Sequence, residues 1–221
     1  MTSPLSYTRV DSNRRSLSLQ ILPDGSLVVK APERLSEKVI EKFIEEHDEW
    51  IKSKLSIVSQ RPHLKHTFKE GDIFLYLGQE VTLTIGDFAK IEVKNKKLYF
   101  PMSLTFRIKK EIEDFYIREA RRLITFQTEK YAREMKTSFT DITFSDTRSQ
   151  WGRCTADNRL QFSWRLIMSP LLTLNYVIIH ELAHTTEKNH SRAFWSTVRR
   201  FTPSYRQQVK WLKENSGRMS I

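Results

Sequence analysis

The sequence predicts an α+β protein with an N-terminal β-rich module carrying one long helix, at residues 1–101, and a mainly helical domain with a small sheet, at residues 102–221. The first part contains short apolar runs separated by Gly, Pro and Asn turn signals, which is typical of hairpins. After Pro101 the apolar residues recur at intervals of three and four, the period of an amphipathic helix. A chain of 221 residues has room for both parts.

The N-terminal module is expected to contain hairpins and one helix. Residues 17–21 alternate apolar and polar, and the turn signal Pro23-Asp24-Gly25 leads into the apolar run 27–29, so these segments predict a hairpin. Apolar residues spaced by three and four predict one helix from Ser36 to Val58. Further strands are expected at residues 73–77, 81–85, 91–93 and 98–100.

The second part is predicted to contain helices around two short strands. In residues 160–166, large apolar side chains alternate with Gln161, Ser163 and Arg165, which predicts a strand with one polar face. Pro170 suits the start of a helix, where its missing N–H costs least. The helices are expected at residues 104–135, 171–186, after the N-cap Ser191, and 203–211, with the other strand at 142–144.

Composition excludes several classes of protein. The single cysteine, Cys154, rules out an intrachain disulfide framework and a multi-cysteine zinc knuckle. No apolar run approaches the roughly 18 residues of a spanning helix. The first ten residues lack the basic and apolar segments of a signal peptide. We therefore expect a soluble cytoplasmic protein that does not associate with a membrane.

The chain is strongly basic, with 37 Lys and Arg against 26 Asp and Glu and a net charge of +11. Such an excess can hold nucleic acid, nucleotides or acidic peptides. The basic residues are scattered rather than clustered, which is equally typical of a solvated surface. We expect weak, salt-sensitive binding of nucleic acid or nucleotides.

The segment His180-Glu181-Leu182-Ala183-His184 is the HExxH pattern, within a predicted helix. Positions i and i+4 lie one turn apart on the same helix face, so His180 and His184 can ligate one metal ion. Imidazole nitrogen suits zinc, and Glu181 lies about 100° around the helix, where it can contact water without binding the metal. Burying these groups without a ligand would be costly, which favours a metal site over two core histidines.

A catalytic zinc ion normally has three protein ligands, so a third must come from elsewhere. His190 is the favoured candidate because it follows His184 by the spacing of the extended pattern HExxHxxGxxH. Glu187 stands where that pattern has Gly, so the backbone path from His184 to His190 is expected to differ. The alternative third ligand is a carboxylate from a later helix, and Glu214 is the only acidic residue after Glu187.

The other candidate ligands are expected to have structural roles. His47 is interpreted as a helix-face residue, and His63 and His66 as part of a polar linker. Cys154 could approach the metal, but a single cysteine is more often a small buried side chain.

Several motifs, taken together, resemble the YgjP-like family, whose members are described as zinc metallopeptidases. The motifs are Arg14-Arg15-Ser16-Leu17, Asp24-Gly25, Ala31-Pro32, 149–154 (SQWGRC), 162–166 (FSWRL), 176–184, Asn189-His190-Ser191, Phe194-Trp195, 203–206 (PSYR) and Trp211-Leu212-Lys213. This resemblance covers nearly the whole chain. The departures, which concern the substrate groove, are Gln150 for the family's usual Arg, Arg153 for Ser and Ser163 for Asn. A looser similarity links the second half to SprT-like proteases.

The resemblance implies a zincin-like catalytic domain at residues 102–221, with His180, His184 and His190 as zinc ligands and Glu181 as general base. Tyr205 and Arg165 are candidate contacts for the oxyanion or the substrate, and the alternative for Tyr205 is a packing residue at the start of a helix. The strand at 160–166 could be an edge strand that aligns a substrate backbone, or an ordinary core strand. Phe194 and Trp195 are expected to pack behind the zinc helix.

The function predicted first is that of a zinc metallopeptidase acting on peptides or proteins through water activated by zinc and Glu181. The first alternative is a metal-dependent hydrolase of nucleoside triphosphates, because HExxH does not dictate which bond the water attacks. The second is a non-enzymatic nucleic-acid-binding protein with a structural zinc, although Glu181 beside the ligands argues against a closed structural site.

Overall fold

The computed structural model describes most of the chain, namely residues 6–14, 16–21, 26–59, 66–148 and 150–221, with the side chains of 57–59 left aside. The fold class is α+β, as predicted. The chain divides into two compact units, Met1–His63 and Leu64–Ile221. The sequence predicted a division after residue 101. The observed division comes earlier, which places the strands between residues 73 and 101 in the C-terminal unit.

A three-stranded sheet in the order β1-β3-β2 lies in the N-terminal unit. Its strands are Tyr7–Ser12 (β1), Ser18–Ile21 (β2) and Leu27–Pro32 (β3). The predicted antiparallel pairing of β2 with β3 is confirmed, and the turn signal at 23–25 lies outside the described residues. The sequence did not predict β1, which pairs in parallel with β3.

The helix predicted from Ser36 to Val58 is two helices, Glu37–Glu46 (α1) and Asp48–Ser59 (α2). The break is at His47, where the backbone leaves the helical region (φ −111°, ψ 14°). Its Nδ1 lies 2.8 Å from the carbonyl oxygen of Phe43. The apolar period continues through His47, which is why periodicity alone did not reveal the break.

The C-terminal unit begins with a four-stranded sheet in the order β4-β5-β7-β6. Its strands are Ile73–Tyr76 (β4), Gln79–Gly86 (β5), Glu92–Lys94 (β6) and Lys97–Pro101 (β7). The four strands predicted here are confirmed: β4 with β5 and β6 with β7 form antiparallel pairs, and β5 and β7 pair in parallel. Leu83 and Phe100 are fully buried in the same core as Ile112. This shared core explains why the unit boundary precedes the sheet.

The long helix predicted over 104–135 begins later, because Met102–Arg107 forms a 3₁₀ helix and the α-helix spans Ile108–Met135 (α3). Ile112, Tyr116 and Ala120 form a fully buried stripe at intervals of four residues. The opposite face is charged and exposed, as the amphipathic period predicts.

A second small sheet has the order β8-β10-β9, formed by Asp141–Ser145 (β8), Gly152–Cys154 (β9) and Arg159–Ser163 (β10). Strand β10 pairs with β8 on one side and β9 on the other. Of the two alternatives for residues 160–166, an edge strand or an ordinary core strand, the structure therefore shows the core strand, and β9 is an edge of this sheet. The strand also ends earlier than predicted, because Trp164–Met168 forms a buried 3₁₀ helix.

Three helices complete the C-terminal unit: Leu171–Ala183 (α4), Arg192–Phe201 (α5) and Tyr205–Asn215 (α6), followed by a 3₁₀ turn at Ser216–Arg218. Helix α4 carries the HExxH segment and is buried at every position from Thr173 to Ile179. Within the described parts of the chain, no helix is both long and apolar enough to cross a membrane.

The end of the C-terminal unit folds back onto its beginning. The His66 side chain is buried rather than part of an exposed linker, and its ring stacks on Phe74 at 4.0 Å. Its Nε2 donates to the carbonyl of Ser220 at 3.0 Å, while the side chain of Met219 is buried in the core. His63, which we also interpreted as a linker residue, lies outside the described residues.

Arg165 is a structural residue in this fold, although the sequence suggested an exposed substrate contact. Its side chain is only 2% exposed, and both Nε and Nη2 donate to Asp146 Oδ1 at 2.8 Å. Its guanidinium also lies 4.3 Å from the ring centroid of Trp164. The alternating pattern predicted that Arg165 lies on an exposed strand face. The ion pair with Asp146 instead allows its charged side chain to be buried.

We expect Asp146→Ala to lower the free energy of unfolding by about 1–3 kcal/mol, because it leaves a buried guanidinium without its carboxylate partner. Urea unfolding followed by circular dichroism measures this change. Glu92→Ala is the matched control, because Glu92 pairs with Lys90 at 3.4 Å on the surface, where such pairs contribute little. Equal unfolding midpoints for the two variants would contradict the structural role of Arg165.

Candidate metal centre

His180 and His184 lie on one face at the C-terminal end of α4. Residue 184 follows the last residue of the helix but keeps a helical backbone (φ −70°, ψ −13°), and its N–H donates to the carbonyl of His180 at 3.3 Å. The two imidazole centroids are consequently 5.0 Å apart. The i, i+4 geometry predicted from the sequence is present in the structure.

His190 joins these two residues from the segment between α4 and α5. Its Nε2 lies 3.2 Å from Nε2 of His180, and the candidate ligand atoms of the three histidines all lie within 4.8 Å of one another. Glu214, the alternative third ligand, is instead an exposed residue with its carboxylate 3.8 Å from Lys210 Nζ. The structure therefore brings His190 to the pair and leaves Glu214 on α6.

Glu187 shapes the turn between the second and third histidines. Its carbonyl oxygen accepts a hydrogen bond from His184 Nδ1 at 2.9 Å, which leaves Nε2 to face the other rings. Its carboxylate accepts from the hydroxyl of Ser191, the N-cap of α5, at 3.2 Å. No residue from 184 to 190 has a positive φ, so this turn does not require the Gly of the extended pattern.

Two further contacts fix the segment that carries His190. Lys188 Nζ donates to the carbonyl of Thr155 at 3.2 Å and to the side chain of Asn158, in the turn between β9 and β10. The hydroxyls of Thr185 and Thr137 are hydrogen-bonded to each other, which ties the other end to the segment after α3. The segment is therefore anchored to both of its neighbours.

Aromatic side chains surround the three imidazoles. The buried ring of Phe194 lies 4.9, 4.5 and 4.8 Å from the rings of the three histidines, so it packs behind the cluster as expected. Trp195 stacks on His190 at 5.6 Å, and Tyr205 packs against Trp195 at 5.1 Å. The hydroxyl of Tyr205 accepts from Arg206 Nε at 3.3 Å.

Glu181 is buried between α4 and strand β9. Its carboxylate accepts the backbone N–H of Cys154, and burial raises its pKa to about 8 despite this bond. A Cβ added to Gly152 would lie 2.6 Å from Glu181 Oε1, closer than any van der Waals contact. The absence of a side chain at Gly152 therefore makes the space that the carboxylate occupies.

The three histidines fit a zinc ion. Burial, with smaller effects from His184 and His190, lowers the pKa of His180 to about 3, which keeps its imidazole in the neutral form that binds metals. Two nitrogens of a tetrahedral zinc site lie about 3.3 Å apart, close to the observed Nε2–Nε2 distance. Cys154 is not in the cluster, and burial raises the pKa of its thiol.

The comparison with protein families decides the affiliation of the chain. The family model described as YgjP-like, metallopeptidase domain, matches residues 15–215. The chain belongs to the YgjP-like family. Membership implies a metal-dependent hydrolase that acts on peptides or proteins. No curated protein and no solved structure gave a significant match.

Sequence reasoning missed four parts of this YgjP-like centre. The roles of the Cys154 N–H and the Glu187 carbonyl were invisible because both are backbone groups. Gly152 carried a usable signal, since an isolated Gly beside a strand often marks close approach of another group. Lys188 gave no signal, because a surface lysine fits any solvated turn.

In the YgjP-like chain we expect Gly152→Ala to keep its metal but to lose hydrolytic turnover about a hundredfold, because the new methyl group displaces Glu181. Cys154→Ala is the control: it removes only a thiol and retains the N–H that Glu181 accepts. Metal analysis and peptide hydrolysis measure both properties. Unchanged turnover in Gly152→Ala would show that the position of Glu181 does not depend on this glycine.

Proposed function

We propose that this chain is a zinc-dependent peptidase whose activity resides in the C-terminal unit. The observation that carries the proposal is a buried carboxylate, Glu181, adjacent in sequence to one of three clustered histidines. Family membership supports the class of reaction. The pattern of three histidines with one adjacent acid matches catalytic zinc sites, which keep a position open.

His180, His184 and His190 would hold the zinc through ring nitrogens. When bound, zinc supplies Lewis acidity, which lowers the pKa of water towards about 7 and polarises a substrate carbonyl. The Glu187 carbonyl fixes the orientation of His184 by accepting from its Nδ1. Phe194 packs against all three rings and excludes water from behind them.

Glu181 acts as the general base in this proposal. Its carboxylate takes a proton from the attacking water and returns it to the amine that leaves. Burial supports this role because it makes the carboxylate a stronger base than an exposed glutamate. The N–H of Cys154 holds the carboxylate in a single position.

The outer edge of β9 is the proposed place for the substrate backbone. Trp151 and Thr155 hydrogen-bond to β10 through their backbone groups, both at 2.9 Å. In an antiparallel pair these bonds alternate, so the backbone groups of Gly152 and Cys154 point away from β10, and the N–H of Cys154 is bonded to Glu181. A peptide added at this edge would place a carbonyl group next to the base.

Tyr205 is the proposed donor to the developing oxyanion. Trp195 lies between the ring of Tyr205 and His190 and packs against both residues. The hydroxyl accepts a bond from Arg206, so its own proton stays available for donation. Arg165 has no part in this proposal, because Asp146 holds it in the core.

Other functions predicted from the sequence become outcomes of the tests. A nucleotide phosphohydrolase would use the same water and base on a different bond. A structural zinc normally has four closed ligands, whereas the cluster among the described residues consists of three histidines. Binding of nucleic acid or nucleotides to the scattered basic residues stays a prediction.

His190→Ala should lose most of the zinc, because two imidazoles hold the ion much more weakly than three. Elemental analysis of the purified chain after dialysis measures the change. His47→Ala is the control, since His47 lies in the N-terminal unit at the end of α1 and should not affect metal content. Full zinc occupancy in His190→Ala would remove His190 from the site.

Glu181→Gln should keep both zinc and fold but lose turnover about 10²–10⁴-fold, because it removes the proton acceptor. The assay compares an unfolded protein with nucleoside triphosphates as substrates. Cleavage of the unfolded protein that Glu181→Gln abolishes supports the peptidase. Release of diphosphate alone would support the phosphohydrolase, and equal rates for the variant and the parent would exclude Glu181 as the base.

A further inference from the structure

Strand β9 carries one charged side chain, Arg153, between two residues that face the centre. Gly152 and Cys154 pair with Phe162 and Leu160, whose side chains are fully buried. Because side chains alternate along a strand, Arg153 projects from the opposite face. It is exposed there, beside the strand edge to which we assigned the substrate backbone.

The guanidinium of Arg153 has no partner within the described residues. Its neighbours across the sheet are Gln161 on β10 and Thr143 on β8, which are uncharged. Two other arginines of this region differ, since Arg159 pairs with Asp157 and Arg165 pairs with Asp146. Arg153 thus extends a polar row to the free edge and ends it with an unmatched positive charge.

A strand added to the outer edge of β9 would continue this row. Arg153 lies midway between Trp151 and Thr155, which both hydrogen-bond to β10, so its own N–H and C=O also point towards β10. With an antiparallel strand on the other side of β9, Arg153 would therefore form a non-hydrogen-bonded pair. In such pairs the side chains approach most closely. The substrate residue opposite Arg153 is therefore the one whose charge Arg153 meets directly.

We propose that Arg153 makes the enzyme selective for peptide segments with Asp or Glu at the position opposite it. This inference rests on the proposed peptidase function. An opposite-charge cross-strand pair favours the acidic residue by about two- to fivefold over a neutral one, and a basic residue there is repelled. The net charge of +11 acts in the same direction on an acidic segment.

The test is a specificity profile from a synthetic library of randomised decapeptides, digested by the zinc-loaded full chain and sequenced by mass spectrometry. We expect Asp and Glu to be enriched about two- to fivefold at one fixed position from the cleaved bond. Arg153→Ala should abolish this enrichment. Arg153→Glu should instead enrich Lys and Arg at the same position of the peptide. Lys97→Glu is the control, since it makes the same charge change at an exposed site in the other sheet.

A binding measurement separates recognition from catalysis. In the Glu181→Gln background, a library-derived peptide with Glu at that position should bind more tightly than its Gln counterpart, and Arg153→Ala should remove the difference. Cleavage without acidic enrichment, or an unchanged profile in Arg153→Glu, would overturn the role of Arg153 and leave the peptidase intact. If every peptide that the parent cleaves is also cleaved by Glu181→Gln, or if the parent cleaves none, the peptidase proposal fails and this inference fails with it.

Discussion

The burial of the Glu181 carboxylate is the constraint on which the rest of the centre depends. A carboxylate taken out of water is costly unless it gains hydrogen bonds or a nearby positive charge. The structure supplies one N–H from Cys154 and, through the adjacent histidines, a place for a cation. The contact with the Cys154 N–H requires β9 to lie directly against α4, and that approach is possible because residue 152 has no side chain.

The three histidines reach the centre by two different routes. His180 and His184 are fixed by the geometry of one buried helix, so their spacing follows from backbone hydrogen bonds alone. His190 lies on an exposed segment and depends on side-chain contacts at Glu187 and Lys188. The core of the unit consequently fixes the first two histidines, whereas surface contacts, which solvent can weaken, fix the third.

The sequence predicted what local patterns determine and missed what distant contacts determine. The HExxH helix and the hairpins rest on periodicity and turn residues, and the third histidine followed from spacing. The parallel pairings of β1 with β3 and of β5 with β7 join segments that no turn connects, so no local signal marks them. Arg165 was misplaced for the same reason, because its partner Asp146 lies 19 residues earlier in the chain.

The contact between His66 and the Ser220 carbonyl has a consequence for synthesis of the chain. These residues lie 154 positions apart, so a ribosome must release almost the whole C-terminal unit before the contact forms. Met219, buried next to Ser220, completes the core only at that moment. Until then the nascent chain exposes the apolar surface that this segment covers, a stage at which chaperones bind such surfaces.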